Sequence, residues 1–385
     1  MALTSSPVPP AAGVQSRRVI FVDLARALAV VFMLYGHALD ALLAPEYRTG
    51  TWFDVWRFQR GLTASLFLLL AGFAFSIATS RRWASHLAPS RTVLDRLRRY
   101  ALFVLLGYGL HLPVGRIVEL PGVTEEQWRS FLAVDVLQLI GVTFIGVQLL
   151  VLVARTRAVF TAAAFVLGAA IVVMTPDVRR IDWVATVPLW AASYLAPATG
   201  SLFPLFPWAA YTLFGAALGQ IFVHWGASRL SAYANLVLLG PGAVLLAAGR
   251  LLRPYQVELF GPPPWSFVPL DVMVRAGACL LVIGAIAHGS RLITALPRLF
   301  GAVARETLVI YFVHLCLVYG SVWNPGLAWA FSRTLAPLPM LAVIVALIAA
   351  MVAMAVFWNG IKHRRPGQAR WIAVGVGTLL VLRLV

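Results

Sequence analysis

The chain has 385 residues, of which 61% are hydrophobic and only 12% charged. Soluble domains are about 45–50% apolar and about 25% charged, so the composition excludes an ordinary soluble fold and points to lipid as the solvent. The net charge is +17 and 30 of the 31 basic residues are Arg; they lie mostly between apolar runs, where arginines set orientation and meet anionic lipid, and that distribution argues against nucleic acid as a partner.

Residues 1–18 read as a short disordered cytoplasmic tail. The apolar run that follows is too long for a signal-peptide core, and Asp23 and Arg26 interrupt it. Runs of about 20 apolar residues, divided by charge and Pro/Gly, then predict spans at residues 19–43, 61–79, 100–114, 131–153, 158–174, 201–223, 231–249, 270–288, 306–321, 338–358 and 371–384. Residues 181–199 are apolar but carry Pro188 and Pro197, and read as an interfacial or re-entrant piece. The expected fold is an all-α polytopic membrane protein, a bundle of about ten or eleven transmembrane helices. Residues 19–360 form the transmembrane domain, and 361–385 a basic loop with the last span. With a cytoplasmic N-terminus, eighteen basic residues fall on the inner segments and ten on the outer, and the acidic residues of the outer loops stay outside. That bias sets N-in orientation. The expected location is the cell (inner) membrane, with membrane lipids as partners.

Cys279 and Cys316 both lie inside apolar runs and give neither a disulfide framework nor a metal-ligand spacing. There is no zinc-like His/Cys pattern and no Gly-rich phosphate loop.

The first span holds four ionisable residues: Asp23, Arg26, His37 and Asp40. Each costs at least ~2–3 kcal/mol at mid-membrane, so such groups are functional candidates. At ~100° per residue all four share one stripe, with the two pairs ~16 Å apart along the axis. Asp23 and Arg26 are three residues apart and can pair; they serve either as a topology anchor or as part of a site. His37 and Asp40 have the same spacing, which suits a general base held by a carboxylate.

The stretch RVIFVDLARALAVVFMLYGHALD resembles the opening helix of the transmembrane acyltransferase superfamily. That superfamily includes the bacterial acyltransferase-3 enzymes and the heparan-α-glucosaminide N-acetyltransferase-like proteins. An Asp three residues before an Arg, then ten residues, then a His is the shared pattern, here Asp23, Arg26 and His37. LFLLLAGFAFSIA (66–78), DVLQLIG (135–141) and FPWAAYTLFGAALG (206–219) are similar to segments of the second group, and ETLVIYFVHL (306–315) to a late Tyr-and-His helix of both. The chain departs in having Ala27 where a Gly is common. It also has His37 where the eukaryotic glucosaminide enzymes have Asn, and Arg48 near the place of their active-site His. The resemblance implies an acyl-coenzyme A-dependent transferase without a permanently bound cofactor, acetyl-coenzyme A being the co-substrate and a glycan or lipid-linked sugar the acceptor.

Further polar groups lie at the depth of His37 and Asp40. Asp135 and Gln138 share a face, and Asp271 and Arg275 can pair. They either line one outward-open cavity that binds the acceptor or tie helices together. His314, three residues after Tyr311, is a second catalytic candidate or a packing residue. The inner loop RRWASHLAPSRTVLDRLRR carries Arg96, Arg98 and Arg99. It either holds topology on anionic lipid or seats the phosphates of coenzyme A, which Arg binds bidentately. A proton-coupled transporter using the same charges is the alternative function. It predicts inverted repeats and broken helices in matching halves; neither is seen. The enzyme predicts a His with an acid partner and an inner basic site, and the sequence offers both.

Overall fold

The computed structural model describes residues 19–293 and 295–385; the expected tail, with Arg17 and Arg18, lies outside them. The chain folds as long helices joined by turns and, at residues 111–135, 181–204 and 320–336, by longer segments that carry short helices of their own. These are α1 (Ile20–Leu42), α2 (Thr51–Ser80), α3 (Arg91–Leu110), α4 (Val136–Ala154), α5 (Arg157–Arg180) and α6 (Leu205–Trp225). Then come α7 (Ala227–Leu251), α8 (Val268–Gly289), α9 (Arg298–Arg305), α10 (Thr307–Tyr319), α11 (Pro337–Arg364) and α12 (Pro366–Leu382). Eight helices of the described chain are long and apolar enough to cross a membrane, or nine if α9 and α10, bent by 75°, count as one span. The protein is an all-α polytopic membrane protein.

The count is lower than the ten or eleven spans expected, for two reasons. α3 starts at Arg91 rather than near residue 100, and its first turns carry Asp95, Arg96, Arg98 and Arg99. α12 is only 17 residues long, short of the ~20 a span needs. α2 is longer than expected, because its helix runs ten residues ahead of the apolar stretch. α11 continues through residue 360 to Arg364.

α2 and α6 form the centre, with 56% and 67% of their apolar windows buried, against 22% for α7 and α11, which face outward. The crossing of α2 and α6 depends on small residues. A Cβ on Gly72 would strike the Thr212 carbonyl and one on Gly215 the Leu69 carbonyl. A Cβ on Gly219 would stand 2.6 Å from the Phe73 carbonyl oxygen. Lipid tails are as apolar as the helices, so close backbone packing through small residues replaces the hydrophobic drive. The segments 66–78 and 206–219 are the two sides of this crossing. Ser76 Oγ completes it by donating to the Ala216 carbonyl at 2.6 Å.

α1 lies against α2, α8, α10 and α11, with Ala25, Ala29 and Ala38 fully buried. Its far end is fixed twice. Arg48 donates to the carbonyls of Leu39, Asp40 and Leu43 at 2.9–3.1 Å, which sets a cation at the negative helix terminus. Backbone bonds to Leu335 then tie it to the entrance of α11. The break between α9 and α10 is pinned by Lys362 of α11, which reaches both oxygens of buried Glu306 at 3.0 and 3.1 Å.

Candidate active site

Two cavities adjoin inside the bundle. The larger, of about 440 Å³, opens beside the start of α3 and the end of α9 and is lined by Arg26, Arg96, Arg99 and Arg305. The smaller, of about 60 Å³, is lined by His37, Arg60, Thr63 and Asp135. Phe67, Val136 and Tyr311 line both, so they form the wall between them.

α1 supplies one polar group to each cavity. Asp23 and Arg26 pair at 3.8 Å, and Arg26 also donates to the Ala304 carbonyl at 3.2 Å, which turns its head towards α9. The second pair does not close. The Asp40 carboxylate forms an ion pair with Arg60 of α2. A fixed guanidinium is the stronger partner for a carboxylate than an imidazole that is neutral for much of the time. Asp40 therefore does not hold the His37 ring, against expectation. His37 Nδ1 is buried without a hydrogen-bond partner among the described residues.

The ring that stands beside His37 is His314 of α10, centroid to centroid 5.2 Å at 67°. His314 Nδ1 lies 2.7 Å from the Ile310 carbonyl, one turn back. A carbonyl only accepts, so Nδ1 carries the proton and Nε2 keeps a lone pair. That Nε2 is also buried and without a partner. Tyr319 donates to the His37 carbonyl at 3.4 Å and its ring packs on the imidazole at 5.7 Å.

Asp135 is the N-cap of α4, accepting from the Val136 amide at 2.7 Å. Its other oxygen lies 3.8 Å from His111 Nε2, and the Tyr311 hydroxyl faces the same carboxylate. Gln138, predicted to share this wall, points instead at Gly107 of α3 and lines neither cavity. Asp271 and Arg275 pair as predicted, at 2.8 Å, but they grip α2 from behind. Arg275 reaches the Gly61 carbonyl at 3.4 Å. They tie helices and do not line the cavities.

At the basic end Arg96 crosses the Phe75 ring at 5.5 Å and donates to Thr79 Oγ1 at 2.7 Å. Arg98 points away, paired with Asp95 at 3.5 Å on an exposed face. Side by side in sequence, Arg98 and Arg99 differ by ~100° around the helix, and only Arg99 reaches the cavity.

Three participants went unseen in the sequence. Arg60 falls just before the span predicted at 61–79, because the apolar run starts after it, although Trp56 and Arg60 are in helical step with Thr63 and Phe67. Arg305 lies just before the span predicted at 306–321 and carries no motif of its own. His111 became meaningful only through its approach to Asp135.

The family model for the catalytic region of heparan-alpha-glucosaminide N-acetyltransferase matches residues 18–251, more than half of the chain. The match takes in Arg26, His37, Arg60, Asp135 and the α2–α6 crossing, while Tyr311 and His314 lie beyond it. Among curated proteins none matches the chain. The family match confirms the resemblance drawn from the opening helix: the chain belongs to the heparan-alpha-glucosaminide N-acetyltransferase catalytic family, a family of multi-pass membrane acetyltransferases.

Proposed function

We infer that this protein moves an acyl group, in the first place acetyl, from cytoplasmic acyl-coenzyme A to a hydroxyl or amine of a glycan or lipid-linked sugar at the opposite membrane face. The observation that carries this reading is the pair of adjoining cavities, one lined by four arginines and one by the half-buried His37, with a shared wall between them. Coenzyme A is a polyanion, and Arg26, Arg96, Arg99 and Arg305 offer the guanidinium forks that bind phosphate. The cavity's size falls within the ~300–1,000 Å³ of ordinary ligand sites. The inner placement of the arginines follows from the charge bias along the chain, and the cell membrane remains the proposed location.

In the transfer, the acceptor's oxygen or nitrogen attacks the thioester carbonyl at the wall. His37 takes the acceptor's proton, the new C–O or C–N bond forms, the C–S bond breaks, and the thiolate leaves to be protonated as free coenzyme A. His314, held as the Nδ1–H tautomer by the Ile310 carbonyl, presents its Nε2 lone pair to the imidazolium that forms on His37. It takes the part expected of Asp40. Arg60 supplies positive charge beside the developing oxyanion.

The test is reconstitution in proteoliposomes with radiolabelled acetyl-coenzyme A and a membrane glycolipid extract. Free thiol should appear in step with labelled glycolipid, and only when the donor is supplied at the arginine-lined face. No thioester consumption with any extract would overturn the reading. Proton uptake without thioester consumption would favour transport instead.

A further inference from the structure

On α2 the side chains of Trp56, Gln59, Arg60 and Thr63 follow one another at spacings of three, one and three residues. At ~100° per residue they occupy an arc of ~100°, and at ~1.5 Å rise they run ~10 Å along the helix. Each has a buried polar atom without a hydrogen-bond partner among the described residues: Trp56 Nε1, both amide atoms of Gln59, Arg60 Nε and Thr63 Oγ1. Buried polar groups are as a rule hydrogen-bonded. Four exceptions in register on one face form a pattern that helix packing does not explain. The face is not a helix seam on the far side either, since Gly61, which meets Arg275, lies ~140° round from Trp56.

The stripe leads to the reacting centre. Arg60 and Thr63 line the small cavity with His37, and the Arg60 stem passes beside Gly36 of α1, where an added Cβ would meet Cγ at an ordinary contact distance of 3.7 Å. The chemistry is that of a polyol reader: an indole N–H, an amide with donors and acceptors, a guanidinium N–H and a hydroxyl. Its charge is already balanced. Asp40 takes the Arg60 cation, and the neighbouring Arg57 is held by Asp54 at 2.8 Å. An acidic sugar would find no free cation along the stripe, whereas neutral hydroxyls would satisfy every group. The Trp56 ring, 4.9 Å from Phe53, adds an aromatic surface at the outer end.

We propose that Trp56, Gln59, Arg60 and Thr63 form the acceptor subsite, and that the acceptor presents an uncharged sugar to it. The subsite deepens the acetyltransfer reading and rests on it for the reason a sugar should come there. The experiment therefore reads binding and turnover separately. An alkyl β-glucoside carrying a photoactivatable diazirine on its ring, and the matching alkyl β-glucuronide, are cross-linked to the full-length protein in nanodiscs and mapped by mass spectrometry. The glucoside should label the α2 stripe and its neighbours in α1, and label them more than the glucuronide does. Trp56→Phe, which deletes only the indole N–H, should lower labelling about tenfold, as loss of one ordinary hydrogen bond does. Gln59→Leu with Thr63→Val should lower it further, with acetyl-coenzyme A binding unchanged as a check that the fold is intact. Labelling that ignores Trp56→Phe, falls elsewhere, or favours the glucuronide overturns the subsite even if acetyl transfer is found. Labelling of the stripe in a protein that never consumes acetyl-coenzyme A would uphold the subsite and sink the transfer reading.

Discussion

The two cavities share three wall residues and both draw on α1, α2, α4 and α10, with α3 and α9 added around the large one, yet they treat charge in opposite ways. The large one gathers Arg26, Arg96, Arg99 and Arg305 at the ends of helices, where an open cavity of about 440 Å³ admits solvent and ligand anions. The small one, of about 60 Å³, holds a single arginine, Arg60, and offsets it at once with Asp40. A cation near a helix end can rely on water or snorkel, whereas one at depth needs a partner in the fold. The lesson is a division of labour. The open end binds by electric field and tolerates small displacements; the closed end works by geometry, and each atom counts.

That contrast sets the size of mutational effects. His37→Ala removes the only group of the small cavity assigned to move a proton, and should lower kcat by about 10²–10⁴-fold with acetyl-coenzyme A binding intact. His314→Ala should act in the same sense. Wild-type turnover in the His37 variant would break the comparison, because the closed cavity would then hold no chemistry.

The open end should respond in KM. Arg96→Gln with Arg99→Gln should raise KM for acetyl-coenzyme A by about 10-fold or more, the worth of one or two charge-assisted hydrogen bonds, and change kcat little. Arg98→Gln, on the exposed face with Asp95, should leave both constants alone. An Arg98 effect equal to that of Arg99 would mean that the loop acts through its net charge and not through the cavity.

Asp40→Asn discriminates more finely. A carboxylate that orients a catalytic histidine costs about 10⁴-fold when neutralised. Asp40 pairs with Arg60 instead, so the loss expected is within about 10-fold, from a freer Arg60. Both members of that pair are about one-third exposed, which keeps the effect on stability small.

Much of this was legible in the sequence. Composition and apolar runs identify a helical membrane bundle, because lipid forces every backbone polar group into helices. The opening motif leads to the family and to His37. Spacing, however, fixes only what can pair. Asp23–Arg26 and His37–Asp40 have the same three-residue spacing, yet only the first closes, because a cation from another helix reaches Asp40 first. Asp271–Arg275 pairs as spacing allows but turns its back on the site, since face depends on which helix lies behind. Apolar runs do not mark helix ends where polarity and helicity part company: α2 and α3 both extend about ten residues into charged sequence, and that stretch of α2 carries Arg60.

The smallest expected effect concerns a histidine of the open end, which mirrors His37. His86, in the loop between α2 and α3, is buried at 1% exposure beside Arg96 and Arg82. Burial, then the charges of Arg96 and Arg82, bring its pKa down to about 4. In the unfolded chain it would titrate near ~6.5. Above pH ~6.5 neither state binds the proton and folding is unaffected. As pH falls below that, the unfolded chain takes up a proton that the folded one refuses, so stability is lost progressively down to about 4, below which both states are protonated. The midpoint of thermal unfolding in detergent should therefore drop by a few degrees more between pH 7 and pH 4.5 in the wild type than in His86→Phe. Equal slopes in the two proteins would mean that His86 is solvated in the native state.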